Sequence, residues 1–346
     1  MSTPHRFAFR SVLAGLGAAL SILLSACGPS GPAPATGAAG SRLTKVRFQT
    51  DWYPQAEHGG YYQALAKGFY REVGLDVEIL PGGPGAFVGQ KVATGQAEFG
   101  MGRSDDHMLA VAEGIPLLMV SALMQRDPQA LLLHDDDPVK TFTDLNGRTI
   151  MAVPGSAWIS YVQARYQVKF NVIPLNYGLA QFMSDKTFIQ QCFVTNEPFY
   201  VAQAGGKPRT LLLASSGYDP YRIIFTNHKL AREKPDLVRA FVAASIRGWD
   251  DFLSGDPAPG KKIIGERNEK MTSEFMDFTI RSLRESQLIS GRPDQGERTG
   301  LLTRKRLEDQ MKSLVELKML SAPLPLEKAV SFDFLPADLQ ALAKAP

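Results

Sequence analysis

QTDWYPQAEHGGYYQALAKGFYREVGLDVEIL, residues 49–80, decides the fold. Where it begins, Val46, Phe48 and Thr50 alternate with Arg47 and Gln49, the period-two pattern of a half-buried strand. That strand runs into Asp51-Trp52-Tyr53 and stops at Pro54. From Gly60, a helix is predicted by Tyr61, Ala64, Leu65 and Gly68 at three- and four-residue spacing; Leu75, Val77 and Ile79 then alternate with Asp76 and Glu78 as a second strand. Aromatic and polar residues therefore stand at the carboxyl end of a strand and the start of a helix. Open α/β sheets bind ligands there.

The same alternation continues outward. Gly95 to Gly102 reads as a turn and short strand, Asp106 to Glu113 as a helix, and Leu117 to Ala122 as a strand that Leu131-Leu132-Leu133 extends. At Asp135-Asp136-Asp137-Pro138 the chain is expected to cross into a second lobe, with Thr149 to Val153, Phe188 to Val194 and Leu211 to Ala214 as strands and Ala157 to Tyr166 as a helix. Near Tyr221 to Thr226 it returns. Pro235 to Leu253 fits an amphipathic helix with Leu237, Phe241, Ala244, Ile246 and Trp249 on one face. Ser331 to Leu335 is expected to pack back near the start of the first lobe. The predicted organisation is lobe 1 over 42–134 and 223–346 and lobe 2 over 135–222.

The amino terminus speaks of location. Residues 1–26 carry Arg6 and Arg10, no acid, and an apolar run from Ser11 to Leu24, the pattern of a secretory signal. That run is too short to span a bilayer, which takes about 20 residues. Leu24-Ser25-Ala26-Cys27 resembles the bacterial lipobox, which implies a lipidated Cys27. Residues 28–41, GPSGPAPATGAAGS, hold no charge and no large apolar side chain, so 27–41 reads as a flexible tether reaching at most about 45 Å. The protein is expected on the extracytoplasmic (periplasmic) side of the cell membrane, held by its lipid.

Two cysteines occur, Cys27 and Cys192; with the first acylated, no internal disulfide is possible. Cys192, in the apolar run Phe188 to Val194, reads as a buried thiol. The formal charge of +3 loses Arg6 and Arg10 with the signal, and no basic stripe points to nucleic acid. Arg304-Lys305-Arg306 stands beside Glu308 and Asp309 and reads as a solvated helix face. No His-x-x-His or paired-cysteine spacing suggests a metal, and Gly82-Gly83-Pro84-Gly85 lacks the Gly-Lys-Ser/Thr ending of a phosphate loop. A Gly-x-Ser-x-Gly hydrolase elbow is missing too.

Asp51-Trp52, Pro54, His58-Gly59, Tyr62-Gln63-Ala64, Gly68-Phe69-Tyr70 and Gly74-Leu75-Asp76-Val77, followed by Gly95 to Gly100, Gly114-Ile115-Pro116, Asp144 to Gly147 and Asn196-Glu197-Pro198, resemble in order the solute-binding proteins related to thiamine-pyrimidine-precursor binders and pyrimidine synthases. The resemblance covers most of 44–255. It implies a two-lobed α/β fold of the periplasmic-binding-protein type (type II) with a ligand cleft between lobes. It also implies a monomer that works with the permease and ATPase subunits of an ABC importer and needs no cofactor. By resemblance the first ligand is a thiamine pyrimidine precursor, formylaminopyrimidine or hydroxymethylpyrimidine; riboflavin, sulfonates and nitrate are the alternatives.

Candidate ligand walls follow from the strand ends. Lobe 1 offers Asp51, Trp52, His58 and Tyr61, with Arg103, Ser104 and His107 in a second loop; lobe 2 offers Gly155, Ser156 and Trp158 at a helix start, then Tyr177, Asn196 and Glu197. Aromatic faces with a few hydrogen-bonding groups suit a flat heteroaromatic. Each has a structural alternative: Trp52 and Trp158 as core cover, Ser156 as an N-cap, and Tyr61 and Tyr62, being adjacent, not both facing inward. The synthases' Lys-x-x-x-His element matches Arg103-Ser104-Asp105-Asp106-His107. An arginine in place of the Schiff-base lysine removes the imine to pyridoxal phosphate, so the expected protein is not an enzyme.

Overall fold

The computed structural model describes residues 43–344; the signal peptide and Cys27 read from the sequence lie outside them. Within these residues, β1 (Thr44–Gln49), β2 (Leu75–Leu80), β3 (Phe99–Arg103), β4 (Leu117–Met124) and β10 (Arg222–Asn227) form one sheet, ordered β2-β1-β3-β10-β4. A second sheet has the order β7-β6-β8-β5-β9, from β5 (Gln129–His134), β6 (Thr149–Ala152), β7 (Asn171–Pro174), β8 (Ile189–Phe193) and β9 (Pro208–Leu212). In β2 the predicted alternation holds: Leu75, Val77 and Ile79 are buried, Asp76 and Glu78 exposed.

Each sheet has three parallel strands and then an antiparallel one in fourth place, β10 in the first and β5 in the second. Both are the strands that follow a change of sheet. Leu131-Leu132-Leu133 therefore does not extend β4: it is the middle of β5, hydrogen-bonded to β8 and β9, and the first crossing lies at 125–128, before the expected Asp135–Pro138. An uninterrupted apolar run marks a strand covered on both faces without saying which sheet receives it. The return lies between β9 and β10, as expected.

Helix Pro235–Ser254 covers the first sheet with Val238, Phe241, Val242, Ala244, Ser245, Gly248, Trp249 and Phe252; of the expected face Phe241, Ala244 and Trp249 are buried, while Leu237 and Ile246 are only partly so. Phe241 stacks on Phe99 at 4.0 Å between ring centres and on Tyr70 at 5.4 Å. Tyr61 and Tyr62 are both fully buried, against the expectation for neighbours on a helix. Their helix, Gly59–Ala66, is enclosed: Tyr61 meets Phe48 and Trp249, and Tyr62 lies under Arg267 of helix Ala258–Arg267.

The carboxyl-terminal segment straps the free edge of β4, where Met119 donates to Ala329 and Ser331 to Met119. Ser331 to Leu335 thus packs at the edge opposite β2, not beside the start of the lobe. Covering an edge strand removes a template for aggregation. His107 secures the strap, its Nε2 donating to the Ala329 carbonyl at 3.1 Å while Nδ1 is buried without a partner. Burial drives this imidazole down to about 3. An unfolded chain takes up the proton below about pH 6.5, whereas the folded one does so only near pH 3, so stability falls on acidification. Urea unfolding should show wild type losing about 2 kcal/mol more than His107→Gln between pH 6.5 and 4.5. Equal losses would sink this assignment.

Candidate functional site

The carboxyl end of β1 supplies the first wall. Thr50 Oγ1 donates to the carbonyls of Trp52 (2.9 Å) and Leu80 (3.0 Å), and the loop after β2 clamps the turn, Gly82 donating to Trp52 O and Gly83 to Asp51 O. Gly82 approaches so closely that a Cβ there would stand 2.3 Å from Thr50 O. The Gly82-Gly83-Pro84-Gly85 run thus holds Asp51 and Trp52 in place. Across from them Tyr177 sits on a turn in which Asn176 Oδ1 accepts from Gly178 N at 2.8 Å; its φ of 61° is left-handed, and the residue is 64% exposed. The Trp52 and Tyr177 rings lie 5.9 Å apart at 34°.

Behind this aromatic pair is a cavity of about 500 Å³ lined from both lobes: Asp51, Trp52, Glu57, His58 and Arg222 on one side, Gln191, Phe193, Asn196, Glu197 and Tyr200 on the other, with Asn268, Lys270, Met271 and Phe275 closing one flank. That size lies in the usual range for small-molecule sites. The lobes touch through Thr195, whose hydroxyl donates to Glu57 and whose carbonyl accepts from Thr279 at 2.9 Å.

Three carboxyls face the cavity in different states. Burial opposes the charge on Asp51, but His58, donating to Oδ1 at 3.2 Å, and Arg222, 3.4 Å from Oδ2, outweigh it and hold its pKa below the ordinary value. Burial raises Glu57 against the bond from Thr195. It pushes Glu197 up to about 7, with Glu57 adding to the shift and the Phe193 amide, donating at 2.8 Å, opposing it. At neutral pH Glu197 can therefore serve as donor or acceptor. Burial also pushes the Cys192 thiol, in the cavity wall, well above its usual range.

Of the expected site residues, Asp51, Trp52, His58, Tyr177, Asn196 and Glu197 are brought together in this cavity. Tyr61 and Trp158 lie fully buried in the cores of their lobes, and His107 is spent on the strap. Ser104 bonds Gln310 and the Tyr221 amide. Arg103 is outside the lining, held by Asp105 (3.1 and 2.5 Å) and Gln129 (2.9 Å); burial opposes its charge, but Asp105 and Asp127 raise its pKa above the ordinary value. Gly155, at a φ of 78°, and Ser156 start helix Ala157–Tyr166 away from the lining; Ser156 occupies the N-cap position, yet its hydroxyl donates back to Val153 O at 2.8 Å and accepts nothing from the helix. Glu57 and Arg222 were not singled out in the sequence. Glu57 stands one residue before His58 in the site loop, a signal that was available; Arg222 reaches the cavity only because β10 pairs with β3.

Comparison with known proteins places these features in a lineage. The profile of a family described as NMT1/THI5 like matches residues 55–258. The riboflavin-binding protein RibY of Chloroflexus aurantiacus is 29% identical over 261 residues, covering 69% of this chain and 73% of that protein. The 4-amino-5-hydroxymethyl-2-methylpyrimidine phosphate synthase THI11 of Saccharomyces cerevisiae is 24% identical over 253 residues, covering 68% and 71%. Among solved structures, the periplasmic aliphatic sulphonate binding protein SsuA of Escherichia coli superposes with a TM-score of 0.63 at 15% identity, covering 83% of this chain and 92% of that one. At that identity the likeness speaks for the fold, the two-lobed architecture of periplasmic binding proteins.

Proposed function

The chain belongs to the NMT1/THI5-like family, and from that premise we propose that it is the extracytoplasmic solute-binding component of an ABC importer, taking a small planar heteroaromatic solute. The observation that carries this reading is the cavity: an aromatic pair from opposite lobes at the mouth and three carboxyls with a guanidinium inside. Flat rings stack on Trp52 and Tyr177, and the buried polar groups read the ring edge. A thiamine pyrimidine precursor and riboflavin both belong to this class. As the lobes close by hinge motion, ligand bridges Asp51 and Glu197 and completes the face that the permease and ATPase recognise.

The reading is non-catalytic. Arg103, at the place where the synthases carry their Schiff-base lysine, stays protonated and is bound by carboxylates, so no imine forms there. A thermal-shift screen of the fragment from Ser41 onward tests the proposal, with pyrimidine precursors, riboflavin, pyridoxal phosphate, sulfonates and nitrate as ligands. A ligand that binds only the native state raises the melting temperature by mass action. A shift with heteroaromatics supports the proposal; a shift confined to nitrate or sulfonates overturns the ligand class, and one confined to pyridoxal phosphate reinstates the synthase.

Affinity should also depend on pH through Glu197. A ligand offering an amino donor binds the carboxylate and so binds more tightly as pH rises through about 7; one offering only an acceptor binds the acid form and tightens as pH falls. Each limb changes affinity by up to about tenfold per pH unit. Calorimetric titrations from pH 5.5 to 8.5 check this, and Glu197→Gln should flatten the profile. A slope that survives that substitution assigns the titration to another group.

Anchoring by lipid at Cys27 is part of the same proposal. Cys27→Ser should move the expressed protein from the membrane pellet to the soluble fraction, and continued pelleting would remove the anchor from that residue.

A further inference from the structure

Arg222 is a buried guanidinium whose two carboxylate contacts, to Asp51 and Asp127, are both long. It lines the cavity, lies 5.0 Å over the Phe193 ring, and makes one side-chain hydrogen bond among the described residues, a long one of 3.4 Å from Nη1 to Asp51 Oδ2. Its Nε is 3.4 Å from Asp127 Oδ2 but meets no acceptor in hydrogen-bonding geometry. Charge-assisted bonds of this kind run at about 2.7–2.9 Å. Arg103, next to it across the β3–β10 pair, shows the alternative, with Nε, Nη1 and Nη2 all engaged. A buried donor left short of acceptors beside a cavity is a donor kept for a ligand.

Glu57 is its complement. Oε1 accepts from Thr195 and Oε2 from Gln55 Nε2 at 2.8 Å, so both oxygens are used as acceptors and each keeps room for a further donor. The carboxyl is buried and lines the same cavity as Arg222. A donor cation and a carboxyl acceptor lining one cavity suit a ring edge with a carbonyl next to an N–H.

We propose, resting on the heteroaromatic reading above, that Arg222 and Glu57 set specificity by recognising a ureide or imide edge, Arg222 donating to the ring carbonyl and Glu57 accepting from the adjacent ring N–H. The ligand is then an oxo-heteroaromatic, and not an aminopyrimidine without a carbonyl. Stacking on Trp52 and Tyr177 leaves that edge pointing inward, toward the two charged groups.

The test uses lumichrome, a tricyclic ring with a ureide edge, its 1,3-dimethyl derivative, in which both ring N–H groups are blocked, and 4-amino-5-hydroxymethyl-2-methylpyrimidine, titrated by calorimetry into the wild-type protein. Lumichrome should bind about tenfold to hundredfold more tightly than the 1,3-dimethyl derivative, the effect of losing one hydrogen bond to a charged group. Glu57→Gln should bring the two lumichromes within a few-fold of each other, and Arg222→Met should weaken lumichrome more than it weakens a ligand that lacks the carbonyl. The ligand comparison in wild type holds even where a variant fails to fold. Equal binding of the two lumichromes, or binding of the aminopyrimidine alone, overturns the inference and leaves the heteroaromatic site standing. Absence of binding by all three overturns both.

Discussion

Trp52→Ala is expected to weaken ligand binding about tenfold to hundredfold while leaving the unfolding midpoint of the free protein almost unchanged. Stacking of a heteroaromatic ring on an aromatic side chain contributes about 1–3 kcal/mol, all of which goes with the indole. In the free protein Trp52 is only partly buried, and its aromatic contacts are the exposed Tyr53 and Tyr177, with ring centres at 5.6 and 5.9 Å. Little folding energy rests on such contacts. The backbone of the turn is held by Thr50, Gly82 and Gly83, none of which needs the indole. Calorimetry and thermal unfolding of the same preparation separate the two effects. Unaltered affinity would take Trp52 out of the ligand site; a large drop in midpoint would make it a core residue.

The second large effect is on stability. Helices Gly59–Ala66 and Pro235–Ser254 cross so closely that a Cβ at Gly248 would stand 2.2 Å from Gly60 O and 2.7 Å from Ala64 Cβ. Backbone cannot rotate away as a side chain can, so Gly248→Val has to push the helices apart and lose packing of Trp249 and Phe252 as well. Overpacking of a core costs about 1–3 kcal/mol, and this contact lies at the upper end or beyond. Gly265→Ala is the matched control. In helix Ala258–Arg267 its Cβ would meet nothing nearer than Met271 O at 3.8 Å, so it should gain up to about 1 kcal/mol from reduced unfolded-state freedom. Denaturant unfolding should therefore show opposite signs for the two glycines. A tolerated Gly248→Val would refute the close crossing.

The site was legible in part because part of it is local. Asp51, Trp52 and His58 lie within nine residues of the end of β1, and Asn196 and Glu197 within four of the end of β8, so strand-end reasoning reached them. The same reasoning also named Tyr61 and Trp158, because an aromatic near a strand end looks alike whether it faces a cavity or a core. Which way it faces depends on what covers the helix. Arg103 was named and Arg222 was not, although they sit on paired strands; only the carboxylates around Arg103 reveal that it is spent. Lys270 and Phe275 reach the cavity from far along the chain, a placement with no local signature.

Period and spacing in the sequence alone determined the α/β class, most of the strands, the helix after β1 and the strand-end position of the ligand loop, since hydrophobic alternation and helical spacing are properties of neighbouring residues. Tertiary structure decided which sheet takes β5, which aromatics are buried, how the carboxyls in the cavity are charged, and that Arg222 stands opposite Glu197. These depend on partners distant in the chain and on the burial those partners impose, and burial is what sets both the hydrogen-bonding debts and the protonation of the groups that meet the ligand.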